Sequence, residues 1–370
     1  MPEIAILHFA PPEQYPPLQN LLDTMGKQEH LGDITLYTTT DVNQSIKKYE
    51  MPNNFRIVRL GKSGKGTSSV QRYLTYLRFN VGVLFALLLR RPQKILYYET
   101  ISSWPACLYK LYFNAASKLF IHYHEYSSVH ELNNGMFLVK YFHKLENKIY
   151  PLAEWISHTN KDRMDFFKKD ILPVEISNDH LLPNYPPQQW YHAPKEKFSD
   201  PIKVVYVGAV STTTMFMKEF ADWVANQNGK VEWHIYTANI TDEAKDFFKE
   251  TKGKFIILHD ALPYNELPEV LTKYDIGVIL YKGHIPNYVY NAPNKLFEYL
   301  ACGLEVWFPN VIIGSLPYQD IEHSPKVMAL DLNKLKETPF EDLRKHSALL
   351  RTEYYFCENV LGELINKLIE

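Results

Sequence analysis

The chain has 370 residues, 46% apolar and 22% charged, with a formal net charge of −2. At roughly 100–200 residues per domain this suits two globular domains, and a charge so close to zero leaves no electrostatic footprint for nucleic acid. The three cysteines, Cys107, Cys302 and Cys357, are far apart and odd in number, so they spell neither a disulfide framework nor a zinc knuckle and fit a reducing cytoplasm.

The opening MPEIAILHFAPPEQYPP has no basic start before its short apolar run and reads as a first strand rather than a signal peptide. ITLYTT and FRIVRL are the next strands. RLGKSGKGTSS (59–69) imitates a phosphate loop, but the P-loop needs G-x-x-x-x-G-K-[ST]. Gly61 and Gly64 are too close together, and Lys65 is followed by Gly66. It is read as a basic loop, either simply solvated or meeting an anionic acceptor or lipid headgroup through Lys62 and Lys65. A helix over about 68–89 follows. Its run VGVLFALLL is about half of the roughly 20 residues a membrane span needs, which leaves a buried helix or one touching a membrane surface beside Arg90 and Arg91.

KILYYE and KLFIHYH continue the strand series. Short buried strands alternating with helices predict a parallel α/β sheet. A second series starts at KVVYVGAV (203–210) and runs through VEWHIYT, KFIILHD and DIGVILY, separated by helical segments. Between the two lies LLPNYPPQQWYHAPKEKFSDP, whose five prolines oppose both helix and sheet. The expected organisation is a first domain over 1–182, a linker over 183–201, a second domain over 202–350, and a terminal helix over 351–370 that crosses back to the first domain. Ligands of open α/β sheets sit outside the carboxyl ends of the strands.

NAPNKLFEYLACGLEVWFP (291–309) is the most informative stretch. Pro293 suits the first helical position and Gly303 the left-handed position after the helix end. Leu296, Phe297, Leu300 and Ala301 share one face, while Asn294, Lys295 and Glu298 lie on the other. A helix N-terminus with a lysine in its first turn is a ready anion site, and a carboxylate one turn on accepts from hydroxyls. That combination suits a phosphate joined to a sugar. On physical grounds alone, a well-capped helix with a solvated polar face fits equally.

NAPNKLFEYLACGLEV resembles the donor-binding segment of GT-B glycosyltransferases, especially the glycosyl group 1 (family 4-like) transferases of nucleotide sugars. DALPYNELPEVLTKYDIGVILY (260–281), KVVYVGAV and LLPNYPP are similar to the segments that surround it there. The resemblance covers about 181–310, and the N-terminal half matches in architecture only. It implies an α/β GT-B fold, with two Rossmann-like parallel-sheet domains facing a central cleft. It implies that Glu298 binds the donor ribose. Asn294, Lys295 and the Leu296 N–H face the diphosphate, and Gly208 lets a loop approach it. Tyr264 borders the base near Asp260, and Tyr281 and Asn291 line the sugar-phosphate region. Three departures stand out. Tyr290 stands where many members have a glutamate, Ala209 where many have an arginine, and Glu305 where most have a proline. Lys282 and Lys295 are the cations left to offset the diphosphate.

KLFIHYHEYSSVHEL places His122 and His124 on one strand face. These histidines suit a packed structural role or a metal site. The resemblance adds a third reading, because His124-Glu125 is similar to a His-Asp pair that the family often carries near donor sugar and acceptor. His124 would hydrogen-bond the sugar or position the acceptor hydroxyl, with a near-neutral pKa open to proton transfer. The expectation is a metal-independent, retaining hexosyltransferase-like enzyme without cofactor. It would move sugar from a nucleotide diphosphate sugar to a saccharide or lipid-linked acceptor in bacterial surface polysaccharide synthesis. The setting would be cytoplasmic, with peripheral contact at the inner face of a membrane left open. The alternatives are a GT-B sugar-nucleotide epimerase and a non-catalytic nucleotide-binding relative.

Overall fold

A computed structural model describes residues 3–28, 32–41, 48–53, 55–64, 68–172, 174–250, 255–338, 340–343 and 347–370. Lys65 lies outside the described residues. The chain divides into two compact units, Met1–Pro183 with Cys357–Glu370, and Asn184–Phe356.

The first unit is built on seven parallel strands: β1 (Ile4–Leu7), β2 (Ile34–Asp41), β3 (Phe55–Ser63), β4 (Lys94–Tyr98), β5 (Lys118–Tyr123), β6 (Trp155–His158) and β7 (Asp179–Leu181). Their order is β3-β2-β1-β4-β5-β6-β7. The central strands are buried end to end, as sequences such as IAIL and KILYY require when helices cover both sheet faces. Strand order reverses between β1 and β4, which pair in parallel from Ile4↔Lys94. That is the switch point at which such sheets open a crevice. The helix Ser69–Arg90 starts on a capping box, with the Ser68 hydroxyl accepting from the Gln71 amide. Helix Cys357–Ile369 belongs to this unit. Leu361, Leu364, Ile365 and Leu368 are buried, and the Lys94 ammonium donates to the Lys367 carbonyl at 2.9 Å. It begins at Cys357, six residues after the start read from the sequence, because 351–356 are not helical.

The second unit repeats the architecture with β8 (Ile202–Val207), β9 (Val231–Thr237), β10 (Ile256–Asp260), β11 (Ile276–Val278) and β12 (Glu305–Pro309). A two-residue strand β13 (His323–Ser324) pairs with β15 (Leu349–Leu350), and β14 (Val327–Leu330) lies in sequence between them. The main sheet runs β10-β9-β8-β11-β12-β14, so its switch point lies between β8 and β11. Among the described residues, every strand pairing within both main sheets is parallel. The proline-rich segment read as a linker packs into this unit. Trp190 is buried in its core, and Lys195 and Ser199 both bond the buried Asp275 carboxylate at 3.0 Å.

Candidate functional site

In the second unit the site grows from the carboxyl end of β8. Gly208 follows that strand at φ 141°. A Cβ there would lie 2.8 Å from the Lys295 Nζ, so the glycine is what admits the lysine. The ammonium stands 4.5 Å above the Tyr206 ring and 5.1 Å from the Tyr281 ring, a cation–π seat that holds a charge in a half-dry place. Burial opposes its charge, but the neighbouring tyrosine hydroxyls outweigh burial and raise its pKa, so Lys295 stays an ammonium. Tyr281 in turn stacks on Tyr288 at 5.1 Å. Lys282 is not available as a second cation: it pairs with Glu219 at 2.9 Å.

The helix carrying Lys295 is Asn294–Ala301. Pro293 takes the cap position with extended backbone (φ −70°, ψ 147°) rather than the first helical position, because its fixed φ leads the chain into the turn. Gly303 does adopt the left-handed region after the helix (φ 78°). The Leu296 amide, assigned to the diphosphate by resemblance, is already used. It donates to the Pro293 carbonyl at 2.9 Å, a tightened first turn. Among the described residues the amides of Asn294 and Lys295 have no such partner.

Glu298 corrects a second expectation. It does not lie on a solvated face, since every position from Leu296 to Ala301 is buried. Burial lifts its pKa to about 7, with Lys295 pulling the other way. Tyr299 locks this helix to the strand end. Its hydroxyl accepts from the Val207 amide at 3.0 Å, and its ring lies where a Cβ on Gly277 would be, at 2.1 Å. Asn291 is half-buried, its carbonyl held by the Ser315 hydroxyl at 2.9 Å. Tyr264 tilts over Trp190 at 4.6 Å. Tyr290 is half-buried, with its backbone against Gly314. Glu305 is a buried strand residue whose pKa burial raises to about 8, eased by Lys326.

In the first unit, residues that follow β1, β4 and β5 come together: His8, Glu99 and His124. Glu99 has φ 60° and ψ 151°, a backbone that residues with side chains rarely adopt. Its carboxylate accepts from the amides of His124 at 2.7 Å and Glu125 at 3.1 Å. Burial and the Glu125 charge raise its pKa to about 8, against those amide bonds. Arg163, itself buried, donates to the His124 carbonyl at 2.6 Å. The His124 ring packs on Tyr15 at 4.4 Å, and His122 bonds the Ser157 hydroxyl at 2.9 Å. The near-neutral pKa expected of His124 does not hold. Burial first, and then His122 and Arg163, push it well below the usual imidazole range. Glu125 is exposed and borders a small recess with Tyr123, His143 and His158. Lys62 is exposed on β3. Among the described residues no group of three or more His, Cys, Asp or Glu is arranged to hold a metal ion.

Sequence reasoning missed Tyr206, Glu99 and Arg163. Glu99 had a signal, a lone carboxylate closing the buried run KILYYE. Arg163 had none, because only the fold carries it to the His124 carbonyl.

No protein-family model matches the sequence, and no curated protein matches it. Solved structures do. Sucrose-phosphate synthase from Thermosynechococcus elongatus is 15% identical, with 100% of this chain and 95% of that chain covered at a TM-score of 0.68. HepE from Anabaena, in complex with UDP-glucose, is 9% identical, with 100% and 96% covered at 0.61. The UDP-GlcNAc 2-epimerase from Neisseria meningitidis, bound to UDP-GlcNAc, is 11% identical, with 99% and 100% covered at 0.57. At these identities the likeness is one of fold, and the chain has the two-domain, Rossmann-like GT-B fold.

Proposed function

We propose that this chain is a glycosyltransferase that moves a sugar from a nucleotide diphosphate sugar to a saccharide or lipid-linked acceptor, in cytoplasmic assembly of a bacterial surface glycan. The observation that carries the reading is the Lys295 ammonium seated at Gly208, with the buried Glu298 one helical turn away. Structures of the same fold hold UDP-glucose and UDP-GlcNAc, which supports a nucleotide-sugar ligand.

In this reading Glu298 accepts hydrogen bonds from ribose hydroxyls. Lys295 and the free amides of Asn294 and Lys295 offset the charge that develops on the diphosphate as the bond to the sugar C1 breaks. The same groups take the role a metal would otherwise fill, and no cofactor takes part. Tyr264 borders the base, and Tyr281 and Asn291 border the sugar-phosphate. The acceptor is assigned to the first unit, where His124 and Glu125 orient its hydroxyl. A depressed imidazole pKa makes His124 a hydrogen-bonding group rather than a strong base. Retention of anomeric configuration is part of the proposal by resemblance.

The test is a thermal-shift panel of nucleotides and nucleotide sugars on the wild type and Glu298→Ala. A ligand at 100 times its Kd stabilises by about 2.7 kcal/mol, so one base should raise the wild-type Tm and leave the variant unmoved. No shift with any nucleotide would sink the donor site. His124→Ala should retain the nucleotide shift while losing turnover. The likeness to the epimerase favours a second reading, and product formed from nucleotide sugar without acceptor would select it.

A further inference from the structure

Helix Ser69–Arg90 has two apolar faces. One packs into the first unit through Phe79, Val83 and Leu87, all fully buried. The other meets solvent: Val70 is 68% exposed, Leu74 57% and Phe85 61%, and Leu77 and Val81 lie between them. At 100° per residue these five fall within an arc of about 80°. A surface helix ordinarily places polar side chains there. The helix has 22 residues, and its most apolar 18-residue stretch has a mean hydropathy of 1.2, so by length and composition alone it is long and apolar enough to cross a bilayer. Its inner face is part of a folded core, so the geometry is that of a helix lying along a surface.

The charges around the stripe have one sign. Residues 69–91 contain no aspartate or glutamate. Arg78, at the edge of that arc, and Arg91, at the helix end, are exposed and, among the described residues, form no ion pair, whereas Arg90 pairs with Glu3 at 3.5 Å. Lys62, also exposed, is tied to the helix by the Thr75 hydroxyl, which donates to its carbonyl at 3.1 Å. The adjoining segment Tyr109–Phe113 exposes Tyr112 and Phe113. A second copy of this chain is a poor occupant, because a two-fold pairing would set the arginines against themselves.

We infer that this stripe docks on an anionic lipid bilayer. The apolar side chains enter the headgroup–acyl boundary, and the arginines meet lipid phosphates. The docking is independent of the transferase reading, since it needs neither donor nor acceptor.

Co-sedimentation of the full chain with vesicles of phosphatidylcholine containing about 30% phosphatidylglycerol tests it. The chain should pellet with these vesicles and not with pure phosphatidylcholine, and added salt should weaken binding. The double variant Leu74→Ser/Phe85→Ser should lower partitioning by roughly tenfold or more. Arg78→Gln/Arg91→Gln should lower it by roughly 25-fold at low salt. All four positions are exposed, so both variants should keep the wild-type Tm and any nucleotide-induced shift. Wild-type chain that stays in the supernatant with anionic vesicles overturns the inference. So does binding unchanged in both variants, or a dimer seen by light scattering that Leu74→Ser/Phe85→Ser dissolves.

Discussion

Glu298 is placed where its chemistry conflicts with its folding energetics. Burial raises its pKa from an ordinary 4.5 to about 7, and those of Glu99 and Glu305 to about 8. Each holds its proton more tightly in the folded than in the unfolded chain. As pH rises from 4.5, the unfolded chain releases these protons first, so the contribution of these three groups to stability falls until about pH 8 and is then flat. Glu298→Gln removes the part of that fall below about 7. The variant should gain on the order of 1–3 kcal/mol over the wild type at about pH 8 relative to about pH 5, read from urea midpoints at the two values. If the carboxylate accepts ribose hydroxyls, nucleotide binding near neutrality should also release a proton. That release is measurable by calorimetry in buffers of different ionisation enthalpy and should be absent in the variant. Gly208→Ala places a Cβ 2.8 Å from the Lys295 Nζ on a backbone at φ 141°. It should cost about 1–3 kcal/mol and weaken nucleotide binding by about tenfold. Wild-type affinity in that variant would separate Lys295 from the phosphates.

Among the elements, the helix Asn294–Ala301 was legible as a helix and only partly as a site. Its proline, its glycine and its apolar spacing are local signals. Helical periodicity places Glu298 on the polar side, yet it cannot say whether that side faces water. Here the fold buries it, and the Leu296 amide expected to serve a ligand closes the first turn instead. The proline-rich stretch before β8 teaches the same lesson. Its composition opposes regular structure, but composition is silent on packing, and the stretch is anchored by Asp275. That carboxylate, fully buried, accepts from Lys195, Ser199 and the Lys203 amide. Asp275→Ala leaves those donors without their acceptor and should cost about 2–4 kcal/mol. The check is urea denaturation together with faster hydrogen exchange at the Lys203 amide.

On the scale of the whole molecule, the last fourteen residues complete a unit built from the other end of the chain. Removing Cys357–Glu370 takes Leu361, Leu364, Ile365 and Leu368 out of the first unit's core. At about 1.5–3 kcal/mol for each buried side chain, that loss rivals the roughly 5–15 kcal/mol by which a domain is stable. The truncated chain should lose the cooperative transition of the first unit and keep that of the second, which nucleotide should still stabilise. A single intact transition in calorimetry would contradict this assignment.

By itself the sequence determined that strands alternate with helices twice over, and where the most informative helix begins and ends. Hydrophobic period, proline and glycine act within a few residues, so a linear reading captures them. Only the tertiary structure decided that Lys295 sits against Gly208 between two tyrosine rings, that Glu298 is buried, and that Glu99 and Arg163 hold the backbone of His124. Those contacts join residues up to 89 positions apart, as with Tyr206 and Lys295. They shift the charge of each group through burial, a property of the assembled sheets and not of any single segment.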